Sequence, residues 1–185
     1  CVDCGFVQIN CVVDPEIIYR DYIYVTTSSS GLINHFETYT NDVFAYLKPV
    51  SQSLVVDIGS NDGTLLSFFQ QKDCRTLGIE TLINTSKDAT KRGIETLSEF
   101  FSLELSKKIV EKYGNAKLIT INNLFANIDT LHDFAKGLEY LLAEDGVLVV
   151  ESSYLLDMIN NMVFDFIYHE HLSYLSILPA YTHIK

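Results

Sequence analysis

The chain has 185 residues, of which 48% are hydrophobic, and this size and composition fit one globular domain, or one domain with a small appendage. Its formal net charge of −11 argues against a nucleic-acid partner, because binding a phosphate backbone needs clustered lysine and arginine side chains. No apolar run approaches the roughly 20 residues that span a bilayer and no signal-peptide pattern opens the chain, so we expect a cytoplasmic protein without a membrane partner.

The first pattern along the chain is a CxxC knuckle formed by Cys1 and Cys4. Two thiolates at this spacing can face one tetrahedral zinc ion, although a structural zinc site needs four ligands and only Cys11 is another thiol nearby. A reduced turn without metal is the alternative. Because the chain begins with cysteine and not with methionine, we expect it to be a fragment of a longer protein.

An irregular lead-in of about 30 residues is followed by a pattern of alternating strands and helices. Apolar residues at helical spacing predict a first helix over Asn34–Leu47. β-Branched apolar runs predict buried strands at Ser53–Gly59, Thr76–Glu80, Lys117–Asn123 and Gly146–Ser152. Further helices are predicted at Gly63–Gln71, Ile83–Arg92, Leu103–Lys112 and Leu131–Leu142. This order predicts an α/β, Rossmann-like fold, a mostly parallel sheet with helices on both faces and a ligand beyond the carboxyl ends of the strands.

The first strand leads directly into the turn DIGSNDGTLL, which contains Gly59 and Gly63. This is not the G-x-G-x-x-G pattern of NAD enzymes, because Asn61 stands where the second glycine should be. Glu80 ends the next strand, where a carboxylate can accept hydrogen bonds from both hydroxyls of a ribose. Asp57, the glycine turn and Glu80 together match the nucleoside site of S-adenosylmethionine (SAM) methyltransferases, whereas the glycines alone would fit a generic strand-to-helix turn.

Near the end of the chain, the segment YHEH places Tyr168, His169, Glu170 and His171 side by side in apolar surroundings. A methyltransferase that acts on carbon must first remove a proton, and a histidine with an ordinary pKa of about 6.5 can be the neutral base. Two other interpretations are possible. If the segment is a strand, the two histidines share a face and could bind a metal, or they could be a packed, hydrogen-bonded pair.

These motifs resemble the SAM-dependent C-methyltransferases of deoxysugar biosynthesis, which methylate a carbon beside the keto group of a nucleotide-linked sugar. The resemblance runs from CVDCGFVQI through DIGSNDGTLL, ITINNLFANI and GVLVVESSYLLDMI to FDFIYHEHLSYLS. It implies an N-terminal zinc-binding domain, a central SAM-binding Rossmann-like domain and a C-terminal domain. On this basis we assign 1–30 to a remnant of the zinc-binding region and 31–185 to the SAM-binding methyltransferase domain, without the C-terminal domain.

The resemblance also implies roles for individual residues. SAM contacts are implied for Asp57, Gly59, Asn61, Gly63, Glu80 and Asn123. His171 is implied as the base that deprotonates the sugar carbon, with Glu170 beside it, and Tyr168 and Tyr22 would line the sugar pocket. The resulting enolate would take the methyl group and leave S-adenosylhomocysteine (SAH). In the family, Cys1 and Cys4 would form the second of two zinc-binding knuckles, the first lying upstream.

The chain departs from the family pattern at one position of the site and at its end. Asn127 stands in NNLFANI where the family usually has histidine, so this position can hydrogen-bond but cannot titrate. The resemblance fades after Ser176. Two other functions fit the same motifs, a methyltransferase acting on oxygen or nitrogen of another small molecule, and a non-catalytic SAM-binding remnant. The sequence does not predict the sugar, the nucleotide, the methylated carbon or the oligomeric state.

Overall fold

The computed structural model describes residues 1, 3, 5–19, 25–47 and 51–177. Its strands are β1 (Val7–Gln8), β2 (Leu54–Ile58), β3 (Arg75–Ile79), β4 (Thr96–Leu97), β5 (Ala116–Asn122), β6 (Leu142–Glu151) and β7 (Ser173–Tyr174). Its α-helices are α1 (Pro15–Tyr19), α2 (Ser30–Leu47), α3 (Thr64–Gln70), α4 (Ile83–Lys91), α5 (Leu103–Tyr113), α6 (Leu131–Leu141) and α7 (Leu155–Asn160). Short 3-10 helices cover Thr26–Ser28 and Phe125–Asn127. Among these helices, none is long and apolar enough to cross a membrane.

Five strands form one sheet in the order β4-β3-β2-β5-β6, and every pairing in it is parallel. The central strand β2 is buried along its whole length, and its Val56 lies between Leu77 of β3 and Ile119 of β5. A continuous run of β-branched residues suits such a strand because both of its faces are covered. The predicted parallel α/β fold is therefore confirmed.

The helices cover both faces of this sheet, and alternate residues of β2 point into two separate cores. Val56 and Ile58 pack in a core with Ile109 of α5 and Phe134 of α6. Val55 points the other way, into a core that contains Phe36 of α2 and Leu66 and Phe69 of α3. The carboxyl ends of the strands lie between these two layers and open at one edge of the sheet.

The four predicted strands and the helices between them are present, with one notable shift. Strand β6 begins at Leu142, directly after α6, and not at Gly146. The pairing of β5 with β6 changes register between Ala116 and Leu118, and a Cβ on Gly146 would lie 2.9 Å from the carbonyl oxygen of Ala116. Glycine therefore lets the strand pass through an irregular stretch that the apolar pattern alone does not reveal.

The lead-in was predicted to be irregular, but part of it pairs with the end of the described chain. Strand β1 is antiparallel to β7, with Val7 opposite Tyr174, and the Ile9 amide donates to the carbonyl of Leu172. The YHEH segment just before β7 is a turn and not a strand. His169 and His171 therefore do not share a strand face, which was the condition for the metal-binding interpretation.

Candidate active site

A cavity of about 860 Å³ opens where β2, β3, β5 and β6 end, and its volume is typical of a small-molecule site. The predicted cofactor residues that line it are Asp57, Gly59, Asn61, Glu80 and Asn123. Three predicted catalytic residues line the same cavity, Tyr168, Glu170 and His171. The fold thus brings two groups of residues, one between positions 57 and 123 and the other between 168 and 171, to one space. Tyr22 lies outside the described residues.

Asp57 is the most buried ionisable group among the described residues that line the cavity. It is 4% exposed, and the Thr120 hydroxyl donates to its Oδ1 at 2.6 Å. Burial raises the pKa of Asp57 to about 7, and the charge of Glu80 adds to this effect, although the hydrogen bond from Thr120 opposes it. A carboxyl group with this pKa changes charge near neutral pH, so it can respond to a cation bound in the cavity.

The turn after β2 needs backbone conformations that few residues adopt. Gly59 has a φ of 79°, and a Cβ built on it would lie 3.0 Å from the Leu124 side chain. Asn61 also has a positive φ, 48°, which asparagine tolerates better than most residues. Gly63 does not line the cavity. It has a φ of 76° at the start of α3, and its missing Cβ makes room for Ile94, so its observed contact is one of packing.

Glu80 connects this turn to the end of β3. It is 7% exposed, its Oε2 accepts from the Asn61 amide at 2.9 Å, and its Oε1 accepts from the Leu82 amide at 2.8 Å. Burial raises the pKa of Glu80, while these backbone hydrogen bonds favour its charged form. A carboxylate has about four acceptor positions, so capacity for ligand hydroxyls remains.

Other polar groups of the cavity fit a nucleoside better than a phosphate. Ser60 and Asn122 line the cavity, and the Asn122 side chain interacts with Asp57 and Tyr39. The hydroxyl of Ser60 is buried without a hydrogen-bond partner among the described residues, and a bound ligand with a donor or acceptor would satisfy it. The described lining includes no lysine or arginine, the side chains that commonly neutralise phosphates. SAM has a nucleoside, no phosphate and a positively charged sulfur, so the residues fit this cofactor.

The hydrogen bonds of His171 define which of its nitrogens can act as a base. Its Nδ1 lies 2.9 Å from the carbonyl oxygen of Phe166, which can only accept, so in the neutral ring the proton is on Nδ1. Nε2 is then the basic nitrogen, and it lies 3.0 Å from the Tyr168 hydroxyl. Burial raises the pKa of Tyr168, so the phenol keeps its proton at neutral pH and donates a hydrogen bond to Nε2.

Glu170 and His171 have different hydrogen-bond partners. The Nδ2 of Asn127 donates to Glu170 Oε1 at 3.1 Å and to the Tyr19 hydroxyl at 2.9 Å. Burial raises the pKa of Tyr19 to about 12, and the charges of Glu170 and Glu80 add to this, although the Asn127 hydrogen bond opposes it. Tyr19 lines the cavity but was not among the predicted site residues. A tyrosine-rich stretch was the only sequence signal for it.

The lead-in contributes a second unpredicted contact to the site. The Thr26 amide donates to Asn61 Oδ1 at 2.9 Å, and the Thr27 amide donates to Asp62 Oδ2 at 3.0 Å. These bonds attach the segment before α2 to the candidate cofactor turn. They connect residues 35 positions apart through backbone donors, which leave no mark in a sequence pattern.

The zinc prediction is not tested, because Cys4 lies outside the described residues. Cys1 is exposed, and the part of the chain that the structure describes has no group of three or more potential metal ligands. The proposed zinc site at Cys1 and Cys4 and the boundary at residue 30 therefore stay predictions.

The fold is the Rossmann-like fold of SAM-dependent methyltransferases. A SAM-dependent methyltransferase from Archaeoglobus fulgidus matches with a TM-score of 0.60 and 15% identity, over 90% of this chain and 68% of that one. The plantazolicin methyltransferase BpumL, solved in complex with a pentazolic desmethylPZN analog and SAH, matches with a TM-score of 0.53 and 16% identity, over 82% of this chain and 56% of that one. At these identities the likeness shows the fold alone.

In sequence, the chain is similar to the C-methyltransferase NovU of Streptomyces niveus. The two are 32% identical over 177 residues, which is 96% of this chain and 42% of NovU. The chain thus spans about two fifths of the length of the curated relative that it matches. No protein-family model matches the chain. The predicted similarity to SAM-dependent C-methyltransferases is confirmed by the match to NovU.

Proposed function

We propose that this chain is the SAM-binding and proton-abstracting part of a C-methyltransferase that acts beside the keto group of a nucleotide-linked deoxysugar. The observation that supports this most is the shared cavity. It places the buried carboxylates Asp57 and Glu80 at one end of the same space as the basic nitrogen of His171. Methyl transfer to carbon requires both a cofactor site and a base, since carbon is not nucleophilic until a proton leaves.

The candidate cofactor residues divide by what each offers. Glu80 offers carboxylate oxygens for the ribose hydroxyls, and Asp57 offers a buried negative charge. Gly59 and Asn61 shape the turn, and Asn123, which also has a positive φ of 54°, follows β5 at the same edge. Gly63 packs against Ile94 outside the cavity lining, and this contact stabilises the turn. When bound, SAM supplies a methyl group on a positively charged sulfur.

The proton chemistry belongs to the YHEH segment. His171 Nε2 takes the proton from the carbon beside the keto group, and the Phe166 carbonyl stabilises the resulting imidazolium through Nδ1. When the substrate binds, the Tyr168 hydroxyl turns from Nε2 to the substrate oxygen on which negative charge develops, and this frees the lone pair of Nε2 to take the carbon proton. Tyr22 is proposed for the same sugar pocket, and Glu170 lies beside the base.

Replacement of His171 tests this assignment. We expect His171→Asn to lower kcat for methyl transfer to nucleotide-linked keto-deoxysugars by about 100-fold or more, the usual contribution of a general base. SAM affinity, measured by calorimetry, should stay within about twofold, because His171 is assigned to the substrate. His132→Asn is the matched control, since His132 is exposed on α6 and does not line the cavity. Unchanged turnover by His171→Asn would exclude this residue as the base.

A further inference from the structure

The amide of Asn127 has an orientation that its partners determine. Its two neighbours in the cavity wall are Tyr19 and Glu170, and one amide atom serves both. Asn127 Nδ2 donates to Glu170 Oε1, so the atom that faces Glu170 is the nitrogen. The oxygen of the amide is therefore directed away from this pair, and an exchange of the two atoms would place the amide oxygen against Glu170 Oε1.

The Asn127 oxygen that results from this orientation is an acceptor without a donor. Oδ1 is buried, and no described residue donates a hydrogen bond to it. A buried acceptor is unfavourable unless a donor reaches it, and nearly all such atoms in folded proteins are satisfied. Because Asn127 lines the cavity, a ligand in the cavity can supply that donor.

The position of this oxygen is held from several sides. Asn127 is the last residue of a 3-10 turn after β5, in which its backbone N–H donates to the Leu124 carbonyl at 2.8 Å. The Leu172 amide donates to the carbonyl of Ala126 at 2.8 Å, which attaches this turn to the segment that follows His171. A polar atom held by such a frame is organised before a ligand arrives, which is the condition for specific recognition.

We propose that Asn127 Oδ1 forms a subsite that accepts a hydrogen bond from a hydroxyl group of the substrate. The subsite lies on the substrate side of the cavity because the same amide is hydrogen-bonded to Glu170, the neighbour of His171. This inference rests on the proposed function, since a keto-deoxysugar carries ring hydroxyls. Tyr19 and Glu170 act as positioning residues that fix which way the amide points.

The test is a double-mutant-type cycle, in which the substrate hydroxyl and the Asn127 side chain are removed singly and together, and kcat/KM is compared. The probes are nucleotide-linked keto-deoxysugars that wild-type protein methylates, and analogues that each lack one ring hydroxyl. We expect wild-type kcat/KM to fall by about tenfold or more for one analogue, because the loss of that ring hydroxyl leaves Asn127 Oδ1 unpaired. Asn127→Ala should show the same fall on the complete substrate and little further fall on that analogue.

Additional variants separate recognition from folding. Asn127→Leu repeats the test with a side chain of similar size if the alanine variant does not fold, and retained SAM affinity shows that each variant is folded. Tyr19→Phe removes the hydroxyl that accepts from Asn127 Nδ2 but leaves Asn127 Oδ1 in place, so it should lower kcat/KM but preserve the discrimination between the two substrates. Asn161→Ala is the matched control, because Asn161 is exposed and lies outside the cavity lining.

The possible outcomes distinguish this inference from the proposed function. If Asn127→Ala and Asn127→Leu keep the wild-type discrimination, or wild-type protein turns over every analogue equally, the subsite is excluded while C-methylation stands. If wild-type protein binds SAM but methylates no keto-deoxysugar, the proposed function fails, and the hydroxyl subsite fails with it.

Discussion

Among single residues, Asp57 shows how burial prepares a group for a charged ligand. Its carboxyl is 4% exposed at the end of the central strand, and the pKa of about 7 follows mainly from the loss of water around it. A positive charge nearby would favour the ionised form and lower this pKa. The affinity of the site for a cation is therefore linked to the ionisation of Asp57.

This linkage predicts how SAM affinity depends on pH. We expect the affinity of the wild-type protein for SAM to rise by up to about tenfold between pH 6 and pH 8, as the ionised fraction of Asp57 increases through its pKa of about 7. Asp57→Asn keeps a side chain of the same shape and should bind SAM more weakly at pH 8, with little dependence on pH. Calorimetry at pH 6, 7 and 8 measures both.

The neutral product provides the control for this measurement. SAH lacks the sulfonium charge, so its affinity should change less than that of SAM over the same pH range. A SAM affinity that is constant from pH 6 to pH 8 in the wild-type protein would contradict a role for the Asp57 charge in holding the cofactor.

At the scale of secondary-structure elements, sequence patterns predicted those that bury continuous apolar surface. Strands β2, β3 and β5 lie within one or two residues of their predicted bounds, because β-branched runs between helices have few other stable arrangements. The two-residue strands β1, β4 and β7 were not predicted. Such short pairings have no periodicity, and they depend on which distant segment lies alongside.

The turn that joins β2 to α3 gives a test at this scale. Gly63 has a φ of 76° and a Cβ on it would lie 2.9 Å from Ile94, whereas Gly93 has a φ of 91° with no atom within 4 Å of an added Cβ. Gly93→Ala should cost about 1 kcal/mol of unfolding free energy through backbone strain alone. Gly63→Ala should cost about 1–3 kcal/mol more, because Ile94 must also move.

Chemical denaturation with urea measures both variants under the same conditions. Their difference isolates the steric part, since the two glycines share the left-handed backbone. Equal losses in the two variants would show that Ile94 adapts freely, and that packing against Gly63 does not hold the turn.

For the whole molecule, the contacts that assemble the site connect distant parts of the chain. Asn127 reaches Tyr19 across 108 positions and Glu170 across 43. The sequence and its family resemblance predicted that Glu80 and His171 belong to one site, because strand ends and the YHEH motif are local patterns. They did not predict Tyr19, the hydrogen bonds from Thr26 and Thr27, or the pairing of β1 with β7, which depend on three-dimensional packing.

The position of the transferred methyl group tests C-methylation most directly. The protein is incubated with SAM labelled with ¹³C in its methyl group and with a panel of nucleotide-linked keto-deoxysugars, and the product is examined by carbon NMR. We expect the label on a ring carbon beside the keto group, with loss of one hydrogen from that carbon. A label on oxygen or nitrogen, or no labelled sugar while SAM still binds, would contradict C-methylation by this protein.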